Sequence, residues 1–187
     1  MTERLKRYDV AGVQVWECPL PHSLSPKARE RERMAEEELL HTVFGEALTL
    51  SHDDSGKPFL RGIDRHISLS HSRSRLCLAV SCSPVGIDTE ELNTRLHRVQ
   101  CKYVDDRLLS LLPEHGSLRE LALCWSAKEA VYKLLGAAAG ALGENIILHP
   151  QGMLTDGVFT ADVGERKCRL HVVELNEEYE IVLACQC

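Results

Sequence analysis

The run HISLSHSRSRLCLAVSC, from His66 to Cys82, can be laid without gaps on HVVELNEEYEIVLACQC, from His171 to Cys187, at a constant offset of 105 residues. Only His66/His171, Leu78/Leu183, Ala79/Ala184 and Cys82/Cys187 match outright. The shared pattern is strand, short polar turn, strand. Hairpins resemble one another, so coincidence and internal duplication both account for the likeness. Duplication implies an α+β fold of two similar, pseudo-symmetric lobes, each a small antiparallel sheet with a packed helix. The expected division is an N-terminal lobe over residues 1–92 and a C-terminal lobe over residues 93–187.

Outward from the first hairpin, Tyr8 to Trp16 reads as one strand, with Val10, Val13 and Val15 spaced along it. Ser25-Pro26 is a helix start, a hydroxyl cap followed by proline at the first helical position. That helix is expected from Lys27 to Phe44, charged in its early half and apolar at Leu39, Leu40, Val43 and Phe44. Val85 to Glu90 is a short strand. A helix is expected from Val99 through Leu112, ended by Pro113 and Gly116. The clearest helix follows: Ser117 and Glu120 form a capping box, Leu121, Cys124, Trp125, Val131 and Leu135 share one broad face, and Gly136 marks the stop.

Composition bounds the function. With 187 residues, 44% hydrophobic and 27% charged, the chain suits one domain or two small lobes with a real core. Twenty-eight acids against 22 bases give a formal charge of −6. Affinity for nucleic acid rests on a basic excess, so nucleic acid is not expected as a partner. No stretch approaches the ~20 apolar residues of a membrane span, and Met-Thr-Glu-Arg-Leu-Lys-Arg leads into no apolar signal core. A cytoplasmic location is expected. The eight cysteines (Cys18, Cys77, Cys82, Cys101, Cys124, Cys168, Cys185 and Cys187) are scattered without a CxxC. Free thiols and no zinc site are the expectation.

Three clusters carry chemistry. Asp88 and Glu90 project from one strand face roughly 7 Å apart, a half-site for Mg²⁺, which prefers hard oxygen ligands; for an isolated pair, two solvated acids at a strand end are the more ordinary reading. In Trp125-Ser-Ala-Lys128-Glu129-Ala-Val-Tyr132-Lys133, Glu129 lies at the border of the apolar face and Lys133 one turn further on. This is a third ligand or base with a phosphate-seeking lysine, or an ordinary helical ion pair. Ser68-Leu69-Ser70-His71-Ser72, with Lys57 upstream, offers hydrogen-bond donors to phosphate. A Ser–His nucleophile pair is disfavoured, because Ser70 and His71 point to opposite strand faces and no G-x-S-x-G elbow exists.

In this order, the clusters resemble the 4′-phosphopantetheinyl transferases of the single-chain, two-lobe type. The resemblance rests on Leu69-Ser70-His71-Ser72, on Val85-Gly86-Ile87-Asp88-Thr89-Glu90 seventeen residues beyond His71, and on the Trp125 to Lys133 block; it runs from about Lys57 to Gly136. It implies transfer of the phosphopantetheine arm of coenzyme A to a serine of an apo acyl or peptidyl carrier protein, releasing 3′,5′-ADP. Asp88, Glu90 and Glu129 would hold Mg²⁺ against the pyrophosphate, and Lys133 would contact the attacked phosphate. Ser70, His71 and Lys57 would bind the 3′-phospho-ADP portion. Glu129 or a metal-bound water would serve as base. The resemblance also implies a cleft between the lobes, and the chain length favours a monomer. Relatives often place a basic residue on the first helix, where this chain has Glu36-Glu37-Glu38; Arg29, Arg31 and Arg33 are candidates to replace it. Arg73, Arg75 or Arg95 would suit an acidic carrier surface. The competing reading is a catalytically degenerate module that binds coenzyme A or a carrier protein.

Overall fold

The computed structural model describes residues 5–20, 28–45, 48–54 and 56–185. The Ser25-Pro26 helix start lies outside them. Within them the chain forms two antiparallel sheets. The first contains β1 (Lys6–Val10), β2 (Val13–Pro19), β3 (Thr49–His52), β4 (Pro58–Arg61), β5 (His66–His71) and β6 (Arg75–Ser81), in the order β1-β2-β6-β5-β4-β3. The second contains β7 (Val85–Glu91), β8 (Ile147–His149), β9 (Val158–Val163), β10 (Arg166–Leu175) and β11 (Tyr179–Cys185), in the order β7-β11-β10-β9-β8. Helix α1 (Ala28–Phe44) follows β2. The short α2 (Arg95–Val99) and α3 (Asp106–Leu111) and the long α4 (Leu118–Leu135) follow β7.

The pseudo-symmetry is plain in the connectivity. β2, α1, β3, β4, β5 and β6 repeat as β7, α4, β8, β9, β10 and β11, and in each lobe the last strand returns to pair with the first. The two runs with the constant offset are the hairpins β5–β6 and β10–β11. Their registers differ: His66 faces Ser81, whereas His171 faces Leu183, and a bulge interrupts β10 between Val172 and Glu174. The sheets divide the chain ahead of β7. Strand β7, which precedes the boundary expected after residue 92, hydrogen-bonds along its length to β11 from Val85↔Cys185 to Glu91↔Tyr179.

Period-two alternation builds three cores at once. On β6, Leu76, Leu78 and Val80 pack toward Leu39 and Leu40 of α1. Its intervening Cys77 and Ala79 pack against Val85, Ile87, Ile181 and Leu183 of the second sheet. On β11, Val182 and Ala184 turn the other way, onto Leu121, Cys124 and Val131 of α4. Central strands buried on both faces read as continuous apolar runs, as LCLAV and IVLAC do.

Local chemistry explains where elements begin and end. The stretch expected as one strand from Tyr8 is a hairpin, because Ala11 and Gly12 both take positive φ (52° and 78°). The single helix expected over 99–112 is instead a 3-10 turn, Gln100–Lys102, following the end of α2 at Val99, and then α3. Asp105 is extended there and its side chain accepts the Leu108 N–H at 2.6 Å, restarting the chain as α3. The capping box at Ser117 and Glu120 is formed, and buried Glu120 also accepts the N–H groups of Glu114 and Gly116 at 2.9 and 3.0 Å. Cys18, Cys77, Cys82, Cys101, Cys124 and Cys185 are free thiols, whereas Cys168 on β10 is disulfide-bonded, correcting the expectation of free thiols throughout.

A buried ionic clasp joins the lobes. Glu17 on β2 is fully buried and accepts the Arg75 guanidinium and the hydroxyls of Tyr8 and Tyr179, each at 3.1 Å, with the Lys6 ammonium at 3.4 Å. Tyr8 reaches Glu174 at 2.9 Å, and Arg75 lies 4.5 Å over the Tyr179 ring and 3.7 Å from Glu178. Arg75 is thereby committed to the lobe interface and not to an exposed docking face.

Among the described glycines, Gly86 meets the closest backbone neighbour. A Cβ there would collide with the backbone carbonyl of Ala130 and the backbone nitrogen of Leu134, so β7 lies directly on the α4 backbone. Gly86→Ala is expected to cost about 3 kcal/mol in urea unfolding, since neither backbone can yield cheaply. A loss below ~0.5 kcal/mol would mean that the strand and helix are free to separate.

Candidate active site at the lobe junction

β7 is the edge strand of its sheet, and its free edge lies against β5 of the other lobe. Two serines of β5 satisfy that edge: Ser68 Oγ accepts the Ile87 N–H at 3.1 Å, and Ser70 Oγ accepts the Thr89 N–H at 3.3 Å. Both serines are buried. The SLS pattern thus docks one lobe on the other while bringing Ser70 and His71 beside Asp88.

Asp88 is the focus of the junction. Its Oδ1 accepts the Ser70 hydroxyl and the Lys133 ammonium, each at 2.7 Å, and its Oδ2 accepts the Ser126 hydroxyl at 2.9 Å. Lys133 also donates to the Ile87 carbonyl at 3.1 Å. One carboxylate is therefore held by β5 from the first lobe and by α4 from the second. Ser126 reaches further, to Glu180 Oε1 on β11, which also accepts the Glu90 N–H at 3.2 Å. Glu180 is fully buried, and desolvation pushes its carboxyl well above the usual range despite the Ser126 hydrogen bond.

The expected ligands Glu90 and Glu129 are half-buried neighbours of this focus. Burial raises the pKa of Glu90, and Asp88 adds to it, against the Glu91 backbone N–H and Arg95. Burial also raises Glu129, reinforced by Asp88 and Glu90 and opposed by Lys133. The three carboxylates feel one another's charge. They do not stand as a preformed cage: among the described residues, no three His, Cys, Asp or Glu side chains are grouped to hold a metal. The Lys133 ammonium is the cation at Asp88 Oδ1. The donor set still suits a hard divalent ion, since all three are oxygen ligands and their crowded negative charge is what such an ion relieves.

From Asp88 a cavity of about 550 Å³ opens between the lobes, lined by Lys133, Tyr132, Ser70, His71, Lys57 and Glu36 among others. Lys57 donates to the Leu134 carbonyl at 3.1 Å, and its pKa is lowered by burial, with Asp53 opposing. His71 faces Glu32 of α1 at 3.8 Å. Burial raises the Glu36 carboxyl, while His71 and His52 pull it back. Arg29 and Arg33 do not line this cavity: both are exposed, and Arg33 pairs with Glu37 at 3.8 Å. Helix α1 turns Glu32 and Glu36 toward the cleft, because its apolar stripe through Ala35, Leu39 and Leu40 fixes the rotation and leaves Arg29 and Arg33 exposed.

Sequence reasoning passed over Glu180, Ser126 and Glu17. Ser126 lies within the Trp125 to Lys133 block, where nothing local distinguishes it from an ordinary helical serine. Glu17 and Glu180 each carried a legible signal, an acid set in an apolar strand (VWEC and YEIV), which is costly unless the carboxyl has partners. Lys128, in the same helix block, turns away from the cleft; it is buried, donates to the Gly143 carbonyl at 3.1 Å and anchors that loop.

The profile of the 4′-phosphopantetheinyl transferase superfamily matches residues 84–182, the span from β7 to β11 that carries Asp88, Glu90, Ser126, Glu129, Lys133 and Glu180. The chain belongs to that superfamily. A 105-residue stretch is 32% identical to the 4′-phosphopantetheinyl transferase psf-1 of Bacillus pumilus, covering 52% of this chain and 45% of that relative. The chain thus spans about half the length of the curated relative it matches. No described helix is long and apolar enough to cross a membrane.

The raised Glu129 carboxyl makes a stability prediction. Its folded pKa exceeds the unfolded one, so between the two values the folded state binds more protons and stability falls as pH rises. Glu129→Gln is expected to raise stability at pH 7 to 8 by up to ~1 kcal/mol after allowance for solvent screening. The gain should shrink as pH falls toward the ordinary glutamate range and vanish below it. Urea titrations at several pH values measure it, and a Gln variant less stable than the parent at pH 8 would contradict the assigned strain.

Proposed function

We propose that the protein transfers the 4′-phosphopantetheine arm of coenzyme A to a serine hydroxyl of an apo acyl or peptidyl carrier protein, releasing 3′,5′-ADP. The observation that carries this reading is the placement of Asp88 and Lys133, 2.7 Å apart, at the head of an inter-lobe cleft in a chain of this superfamily. The cleft offers ammonium groups at Lys133 and Lys57 and an imidazole at His71, donors suited to a chain of phosphates. Its volume is in the range of sites that enclose small ligands.

The residues at the junction divide the tasks of that reaction. Asp88, Glu90 and Glu129 would hold Mg²⁺, which when bound neutralises pyrophosphate charge and polarises the attacked phosphorus. Lys133, anchored on the Ile87 carbonyl, reaches the phosphate under attack and stabilises the charge that builds on its oxygens. Lys57 and His71 hold the nucleotide end, with Ser70 beside them once a phosphate competes for its hydroxyl. Glu129 is the candidate general base, taking the proton of the carrier serine as the new phosphoester bond forms. The bond between the attacked phosphorus and the 3′,5′-ADP oxygen breaks, and the nucleotide leaves with the electron pair.

The test is intact-mass analysis of an apo carrier protein after incubation with this protein, coenzyme A and Mg²⁺. The carrier is expected to gain the mass of one phosphopantetheine. Asp88→Ala, Glu129→Ala and Lys133→Ala should each lower kcat/KM by about 10² or more while the fold persists. Failure to modify several carriers that a control transferase modifies would refute the activity. An undiminished rate in Asp88→Ala would refute the site.

A further inference from the structure

Asp88 is gripped through both carboxylate oxygens, and only one of the grips faces the cleft. Ser70 and Lys133 hold Oδ1, and both line the cavity. Oδ2 is held from behind by Ser126, a fully buried serine of α4. Ser126 Oγ is in turn hydrogen-bonded to Glu180 Oε1, 2.5 Å away. Glu180 sits directly across from Glu90 in the β7–β11 register, and the same Oε1 accepts the Glu90 N–H at 3.2 Å. The Glu180 backbone carbonyl accepts the Thr89 hydroxyl at 2.7 Å. Every residue from Asp88 to Glu90 is thus tied to the Ser126–Glu180 pair.

A carboxyl in this position is expensive. Glu180 has no exposure, and its Oε2 is buried without a hydrogen-bond partner. Its neighbours along β11, from Ile181 to Ala184, are apolar and fully buried. An apolar residue would pack there at lower cost, so packing does not explain the glutamate.

We propose that Ser126 and Glu180 are positioning residues: they form a buried brace that fixes the attitude of Asp88 and Glu90 toward a divalent cation in the cleft. This rests on the metal assignment within the transferase reading. The brace acts through hydrogen bonds and touches neither substrate nor reacting atoms. Partners behind metal ligands commonly alter metal affinity about 10- to 100-fold when removed.

The test measures Mn²⁺ affinity from the free-ion electron paramagnetic resonance signal, with and without coenzyme A, for the wild type and four variants. Ser126→Thr and Ser126→Val have the same shape and differ in the hydroxyl, so their contrast isolates the hydrogen bond. Ser126→Val is expected to bind Mn²⁺ about tenfold more weakly than Ser126→Thr. The Mg²⁺ concentration for half-maximal transfer should rise in step, with kcat at saturating Mg²⁺ changed less than threefold. Glu180→Gln keeps an oxygen for Ser126 and for the Glu90 N–H, and should stay within threefold of wild type; Glu180→Leu should weaken binding as Ser126→Val does. Equal affinity in the Thr and Val variants would overturn the brace. Glu180→Gln failing as badly as Glu180→Leu would overturn positioning in favour of a direct charge role. If the wild type binds no Mn²⁺ even with coenzyme A, the metal assignment falls and the brace with it; if it binds Mn²⁺ and Ser126→Val binds equally well, only the brace falls.

Discussion

The site depends on β7 lying against the backbone of α4 at Gly86. That close approach sets the strand within reach of about two turns of α4, so that Ser126 and Lys133 both meet Asp88. A bulkier strand residue at position 86 would move the carboxylate away from both. The other edge of β7 is fixed by Ser68 and Ser70 of the first lobe, whose hydroxyls satisfy backbone groups that an edge strand otherwise exposes. The junction between the lobes and the assembly of the site are consequently the same set of contacts.

Charge is distributed over two buried centres with different purposes. At Glu17 the acid is surrounded by Lys6, Arg75 and two tyrosine hydroxyls, so its partners are complete and the result is a clasp. At Asp88 the acids outnumber the cation: Glu90, Glu129 and Glu180 crowd a carboxylate whose one ionic partner among the described residues is Lys133. Burial raises the pKa of Glu90 and of Glu129, and the neighbouring carboxylates add to it. A complete centre stabilises the fold, whereas an incomplete one is suited to recruit a cation and to accept a proton.

The sequence carried much of this. The offset hairpins and the β-helix-strand order made two lobes legible, because alternation and polar turns are local signals. The capping box at Ser117 and the glycine stop at Gly136 placed α4, and with it Glu129 and Lys133, within a residue of where they lie. What escaped depended on tertiary contact. The rotation of α1 is set by its packing stripe, so Arg29 and Arg33 of RERER are exposed and Glu36 faces the cleft. Asp105 broke a helix that periodicity alone joined. Ser126 and Glu180 acquire meaning only when β11 is laid beside β7, a pairing between residues far apart in the chain.

The central claim is that the Asp88–Lys133 pair heads a cleft built for a nucleotide pyrophosphate. A crystal structure of the protein with coenzyme A and Mg²⁺ tests it most directly. The account predicts an ion bound to Asp88 with Glu90 or Glu129, and the Lys133 ammonium in contact with a phosphate oxygen. A nucleotide seated elsewhere, with the Asp88–Lys133 pair untouched and no ion beside it, would contradict it.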